Sequence, residues 1–244
     1  TAAVRAFAEK HFGGEALPGA RPGTVADLVL AGEGAAEKGY GILASKRFAN
    51  LERAFRNLKA LAGAGAQKLA FARLALLAFE TLARAPNPDR ALNNWERFVR
   101  AIPSPLFHFH LLLQQPMRLE VLLQLFGSSQ FLADTLVRHP GYLEWLLDPA
   151  ILRPPRQPAE LERELRMFMQ ACPGRPEWLN HLRRIRRRET LRIGARDLLL
   201  RVPTEEVISE LSLVAEEILR AALRQAWIRT IEERAVLKGT AEPQ

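Results

Sequence analysis

Apolar residues recur at spacings of three and four along most of this chain, and that pattern limits its fold more than any other feature. Phe48, Leu51, Phe55, Leu58 and Ala62 make one such stripe. Leu69, Ala72, Leu76, Phe79 and Leu82 make a second, Leu122, Leu125 and Phe126 end a third, and Phe131, Leu132, Leu136 and Val137 make a fourth. Sustained period-2 alternation of β-branched residues is nearly absent, and the Ala-rich, straight-chain composition favours helix on propensity. The expected fold class is therefore all-α: a helical bundle of about ten helices with no significant β-sheet.

Prolines punctuate the stripes and read as helix starts. Asn87-Pro88 and Ser104-Pro105 each fit an N-cap followed by proline at the first helical position. Ser128 is placed to cap a helix beginning near Gln130, and Pro203-Thr204-Glu205-Glu206 reads as a break, a cap and two carboxylates that complement the helix dipole. The resulting map has an N-terminal helix over 2–12 followed by an irregular Gly/Pro-rich segment to residue 41. A bundle covers 42–152, a stiff Pro-rich linker 153–158, and C-terminal helices 159–244. One short echo, Pro-x-x-Leu-Glu-x-Leu-Leu, occurs from Pro116 and again from Pro140. It reads either as two similar helix starts or as a pair of stacked hairpins; two copies do not make a solenoid.

Several function classes fall away on composition. Of 244 residues, 48% are hydrophobic and 25% charged, ordinary globular usage that argues against disorder and collagen. A lone cysteine, Cys172, excludes a disulfide scaffold and is expected to be a plain buried or loop thiol. No apolar run approaches the ~20 residues of a bilayer span. The chain opens on Thr1 with no signal-peptide pattern, so a processed or excised fragment and a cytoplasmic location are expected.

A search for chemistry finds no catalytic constellation. His108 and His110 are two apart, which points their rings to nearly opposite sides of a helix, whereas paired metal ligands want a spacing of four. His139 precedes Pro140 and reads as a helix end. The pairs Glu205/Glu206 and Glu216/Glu217 lie on solvated helix faces, which do not push two carboxyl pKa values apart. Ser128-Ser129 lacks the Gly-x-Ser-x-Gly elbow, and Gly13-Gly14 and Gly32-Glu33-Gly34 fit no phosphate loop. No catalytic, metal or cofactor-binding residue is expected.

Charge is the unusual property. The chain carries +8 at pH 7, and +6 of it lies between Arg183 and Arg201, where eight arginines face only Glu189 and Asp197. On a helical wheel Trp178, Leu179, Leu182, Ile185, Ile193 and Leu200 share a face that Glu189 and Arg196 cross, with Arg186 and Arg192 at its margins. A lone buried carboxylate is too costly, so Arg186, Glu189, Arg192 and Arg196 are expected to form a structural ion-pair cluster. Arg183, Arg184, Arg187 and Arg188 then point away and form a candidate docking face for an acidic protein surface or a neighbouring domain. The competing readings are a solvated basic face and, last, a nucleic-acid binder. The last lacks a helix-turn-helix signature, zinc spacing or an aromatic stacking platform.

Several segments together resemble one family. Phe126-Gly127-Ser128-Ser129-Gln130-Phe131-Leu132-Ala133, continuing to Arg138-His139-Pro140-Gly141-Tyr142-Leu143, is similar to a characteristic segment of the glutamine synthetase adenylyltransferases. So are Pro88–Phe98 upstream, Leu182–Ile193 with Arg196-Asp197-Leu198-Leu199, and Glu210-Leu211-Ser212-Leu213-Val214-Ala215-Glu216. The resemblance covers roughly residues 88–225. It implies a bacterial protein of nitrogen regulation whose parent attaches AMP to glutamine synthetase. It also implies an adjacent nucleotidyltransferase domain, ATP and Mg²⁺ for the parent family, and the PII signalling protein as a partner. The family's Glu-Leu-Asn and Asp-x-Asp motifs have no counterpart after Ala226, so none of its metal-binding carboxylates transfers to a residue here. The resemblance thus implies a non-catalytic helical positioning segment, either excised or from a member without the catalytic domain, and inactive alone. A stand-alone helical interaction module is the alternative.

Overall fold

Short polar residues set the helix starts. Asn50 and Asn87 each accept the amide three residues on, at 2.9 Å, and Ser104 and Ser129 do the same at 3.4 Å. Pro88, Pro105 and Pro116 occupy first-turn positions, where a missing N–H costs nothing. The cap near Gln130 is Ser129 rather than Ser128. Ser128 completes the preceding helix, and Ser129 takes the extended backbone (φ −138°, ψ 120°) that a cap requires. Similarly, the last helix begins at Thr204 itself, with the Pro203 carbonyl accepting from Val207.

In the computed structural model the described residues are 24–30, 36–171 and 175–239. They form thirteen helices and no strand. In chain order these are α1 (Val25–Leu30), α2 (Ala36–Ser45), α3 (Leu51–Ala62), α4 (Gly65–Arg84), α5 (Pro88–Ala101) and α6 (Pro105–Gln114). There follow α7 (Pro116–Ser128), α8 (Gln130–Arg138), α9 (Tyr142–Leu146), α10 (Pro149–Leu152), α11 (Pro158–Ala171), α12 (Arg175–Leu200) and α13 (Thr204–Gly239). The 2–12 helix and Cys172 lie outside the described residues. Part of the segment expected to be irregular is helical: α1 buries Val25, Leu28 and Val29 in the first core, and apolar side chains at that spacing outweigh the nearby glycines.

Two cores result. The first runs from α1 to α9 around Phe71, Trp95 and Phe109, whose rings lie 5.2–6.3 Å apart. Two polar groups in it serve one helix end. Buried Asn94 donates to the Phe126 carbonyl at 3.1 Å, and Arg90 reaches the Gly127 and Ser128 carbonyls, satisfying the open C-terminus of α7. The Pro-x-x-Leu-Glu echo marks two helix starts: Leu119 and Leu143, then Leu122 and Leu146, are all buried. The second core is small: Leu161, Leu165, Trp178, Leu182, Ile185, Ile193 and Val214, from α11, α12 and α13.

The basic helix α12 joins the two. At 26 residues it extends about 39 Å. Its Leu191 and Ala195 belong to the first core, whereas Ile185 and Ile193 belong to the second. Gly194 permits the approach to α8, since a Cβ there would sit 3.0 Å from the Leu132 side chain.

Candidate functional site

α12 is buried along two faces, so part of its charge is carried into the protein. Glu189 is fully buried. Its carboxylate accepts from Arg192 Nε at 2.8 Å and Arg188 Nη2 at 3.3 Å, and Arg156 Nη1 lies 3.6 Å away. A second buried carboxylate, Glu210 on α13, accepts from Arg196 Nε at 2.8 Å and also binds Arg192. Arg196 reaches on to Glu206, while Glu164 on α11 takes Arg188 at 2.6 Å and Arg156. Four arginines (156, 188, 192 and 196) therefore face four glutamates (164, 189, 206 and 210) in one neutral network. Neutrality is what lets so many charges share a low-dielectric interior.

The network also holds the segment 153–158. Arg196 donates to the Leu152 carbonyl at 3.0 Å and to that of Arg153, and Arg192 lies 3.5 Å from the Pro154 carbonyl. The start of the Pro-rich stretch is thus held to α12.

Three of the four residues expected in the cluster, Glu189, Arg192 and Arg196, are brought together. Arg186 is not: it is exposed. With four arginines already matching four carboxylates, a fifth guanidinium would be desolvated for no partner. Arg188, assigned by spacing to the docking face, turns inward instead. Its guanidinium meets Glu164 and Glu189 and lies 4.9 Å over the Trp145 ring. Sequence reasoning missed Arg156, Glu164, Glu206 and Glu210. Glu206 and Glu210 were findable, because they repeat the four-residue spacing of Arg192 and Arg196 on the next helix.

Arg183 and Arg184 are exposed, and Arg187 is half-buried where α12 meets the end of α8. Arg183 binds Asn180 Oδ1 at 2.9 Å, and Arg187 Nη1 lies 2.6 Å from His139 Nε2. That contact requires a neutral imidazole accepting at Nε2. Partial burial, then the positive charges of Arg187, Arg184 and Arg138, hold His139 below its usual pKa. The His139 ring stacks on Tyr142 with centroids 5.0 Å apart.

His108 is buried beside Phe98 and His110 is exposed, so the two rings do not converge. Among the described residues no three His, Cys, Asp or Glu side chains converge as a metal site, and no helix is long and apolar enough to cross a membrane. Of the pair Glu216/Glu217, expected on a solvated face, only Glu216 is exposed; Glu217 is buried, because its side of α13 packs inward, with Arg220 as its partner. The far side of α13 carries Ile208, Leu219, Leu223 and Trp227, each more than half exposed. They fall on spacings of four and eleven, so they share one long face.

Residues 119–244 match the sequence profile described as glutamate-ammonia ligase adenylyltransferase. A bifunctional glutamine synthetase adenylyltransferase/adenylyl-removing enzyme of Thioalkalivibrio sulfidiphilus is 29% identical over 233 residues, covering 91% of this chain but 23% of the relative. Enzymes of the same description from Chromobacterium violaceum and Mannheimia succiniciproducens are 34% and 33% identical over 152 and 133 residues, or 61% and 53% of this chain and 17% and 13% of theirs. The chain thus spans about a quarter or less of the length of these relatives. With the profile matching just over half of its residues, the chain belongs to the glutamate-ammonia ligase adenylyltransferase family.

Proposed function

We propose that this chain is a non-catalytic helical segment that positions a nucleotidyltransferase domain within a longer glutamine synthetase adenylyltransferase. The observation carrying the reading is one of coverage. The Thioalkalivibrio relative aligns along nearly the whole of this chain, yet more than three quarters of that enzyme lies outside the match. The apolar face of α13 around Leu219, Leu223 and Trp227 supports it, because an exposed stripe of that extent is a seat for another surface. The nucleotidyltransferase domain is the occupant that the family membership supplies. The ion-pair network suits the same role, since it ties α11, α12 and α13 to one another and gives the seat a fixed frame.

On this reading glutamine synthetase is the substrate of the whole protein, ATP and Mg²⁺ serve its catalytic domain, and the PII protein is its regulator. The test is incorporation of labelled AMP into glutamine synthetase. The purified chain alone is expected to transfer none. Joined to the nucleotidyltransferase domain of a relative, it is expected to support transfer that the substitutions Leu219→Asp and Leu223→Asp abolish. Label incorporated by the chain alone, or transfer indifferent to those substitutions, would overturn the proposal.

A further inference from the structure

The arginines of this protein divide by what they meet. Those of the buried network, and Arg166, Arg220 and Arg224 outside it, each reach a glutamate. Arg138, Arg183, Arg184 and Arg187 do not: among the described residues no carboxylate lies within ion-pair distance of any of them. Yet they are neighbours. Arg183 and Arg187 are one helical turn apart on α12, and Arg184 lies between them. Arg138, the last residue of α8, joins Arg184 and Arg187 in acting on the single imidazole of His139.

Like charges one turn apart on a helix destabilise it. Carboxylates meet the guanidiniums of the neighbouring network, whereas this patch, like Arg186 on the same helix, has none among the described residues. Four guanidiniums without a carboxylate, three of them gathered around His139 and Arg183 one turn from Arg187, make a surface that an anion completes.

Geometry selects among anions. Arg183 and Arg187 have the i,i+4 separation, about 5–6 Å between Cβ atoms, at which two carboxylates one turn apart on an acidic helix would stand opposite them. Each planar guanidinium fork can take both oxygens of one carboxylate. A nucleic acid would instead need a longer track, because its affinity accumulates with each phosphate neutralised, and bases would need exposed aromatic faces. The rings at this patch, His139 and Tyr142, are stacked on one another. We infer that Arg138, Arg183, Arg184 and Arg187 form a docking surface for an acidic protein segment, a helix bearing glutamates or aspartates at four-residue spacing. This inference stands apart from the positioning role and does not depend on it.

A short fluorescein-labelled poly-glutamate peptide, followed by anisotropy with the full chain, tests it. At low ionic strength the peptide is expected to bind. The double change Arg183→Glu with Arg184→Glu, remote from the buried network, should weaken binding roughly tenfold, the scale of a few exposed charge contacts. The control Arg56→Glu with Arg73→Glu removes the same charge from exposed sites on the bundle and should leave affinity within about twofold. Circular dichroism checks that both variants remain helical. Equal loss in the control would show attraction to net charge alone and overturn the inference. So would absence of peptide binding, displacement of the peptide by inorganic phosphate, or a DNA oligonucleotide binding the same arginines more tightly than the peptide.

Discussion

The two cores share a helix but are built on opposite principles. The first, around Phe71, Trp95 and Phe109, is largely apolar and aromatic, and buried Asn94 within it closes a helix end. The second holds seven buried apolar residues beside an eight-member charge network. Apolar burial contributes in proportion to area and is non-directional, so side chains can repack when one is changed. The charge network cannot repack: each guanidinium has assigned oxygens, and removing one partner strands a buried charge. The second core is therefore the smaller and the more brittle, and α12 is held in one register by both.

The largest expected effect breaks that network. Glu210→Leu leaves Arg192 and Arg196 buried with half their carboxylates gone, and should cost about 3–5 kcal/mol. Hydrogen exchange should localise the loss, with α11 and α13 losing protection before α4 and α5. A cost below about 1 kcal/mol in urea unfolding, or loss spread evenly over both cores, would mean that the network is not the weak region.

A smaller effect exposes a flaw in the first core. His108 is buried with its Nε2 unpartnered, and desolvation lowers its pKa from 6.5 to about 4. Between those values the unfolded chain binds a proton that the folded chain refuses. Its contribution to stability is therefore complete above pH 6.5 and is lost as pH falls toward 4. The shift corresponds to a loss on the order of 3 kcal/mol. His108→Phe removes both the titration and the orphaned nitrogen. Thermal melts from pH 7 to 4 should show a flatter profile for the variant, with higher stability at the acid end; parallel profiles would contradict the assignment.

Legibility in the sequence divides along the same line. Stripes such as Phe48–Ala62 and caps such as Asn87-Pro88 specify helices through local spacing, so the all-α bundle could be read directly. Glu189 could be read as buried because it interrupts an apolar stripe on its own helix. The rest of its network could not all be read, since Arg156, a partner of Glu189, and Glu164, which shares Arg156 and Arg188 with it, come from other elements, and their approach is set by how these pack on α12. The α1 helix was hidden for a related reason: its burial against α4 outweighs the glycine-rich neighbourhood that made the segment read as irregular.

The smallest effect sharpens where that legibility fails, at two arginines two residues apart. Local spacing favours Arg186 as the partner of Glu189, three residues away, whereas packing gives the place to Arg188. Arg186→Ala should therefore change stability by no more than about 0.5 kcal/mol, as exposed substitutions do. Arg188→Ala removes bonds to Glu164 and Glu189 and the stacking on Trp145, and should cost about 2 kcal/mol, toward the lower end of buried charge loss because the side chain is partly exposed. Paired urea titrations of the two variants measure the difference. If Arg186→Ala proved the costlier, spacing along one helix would outrank packing between helices in choosing partners for a buried carboxylate.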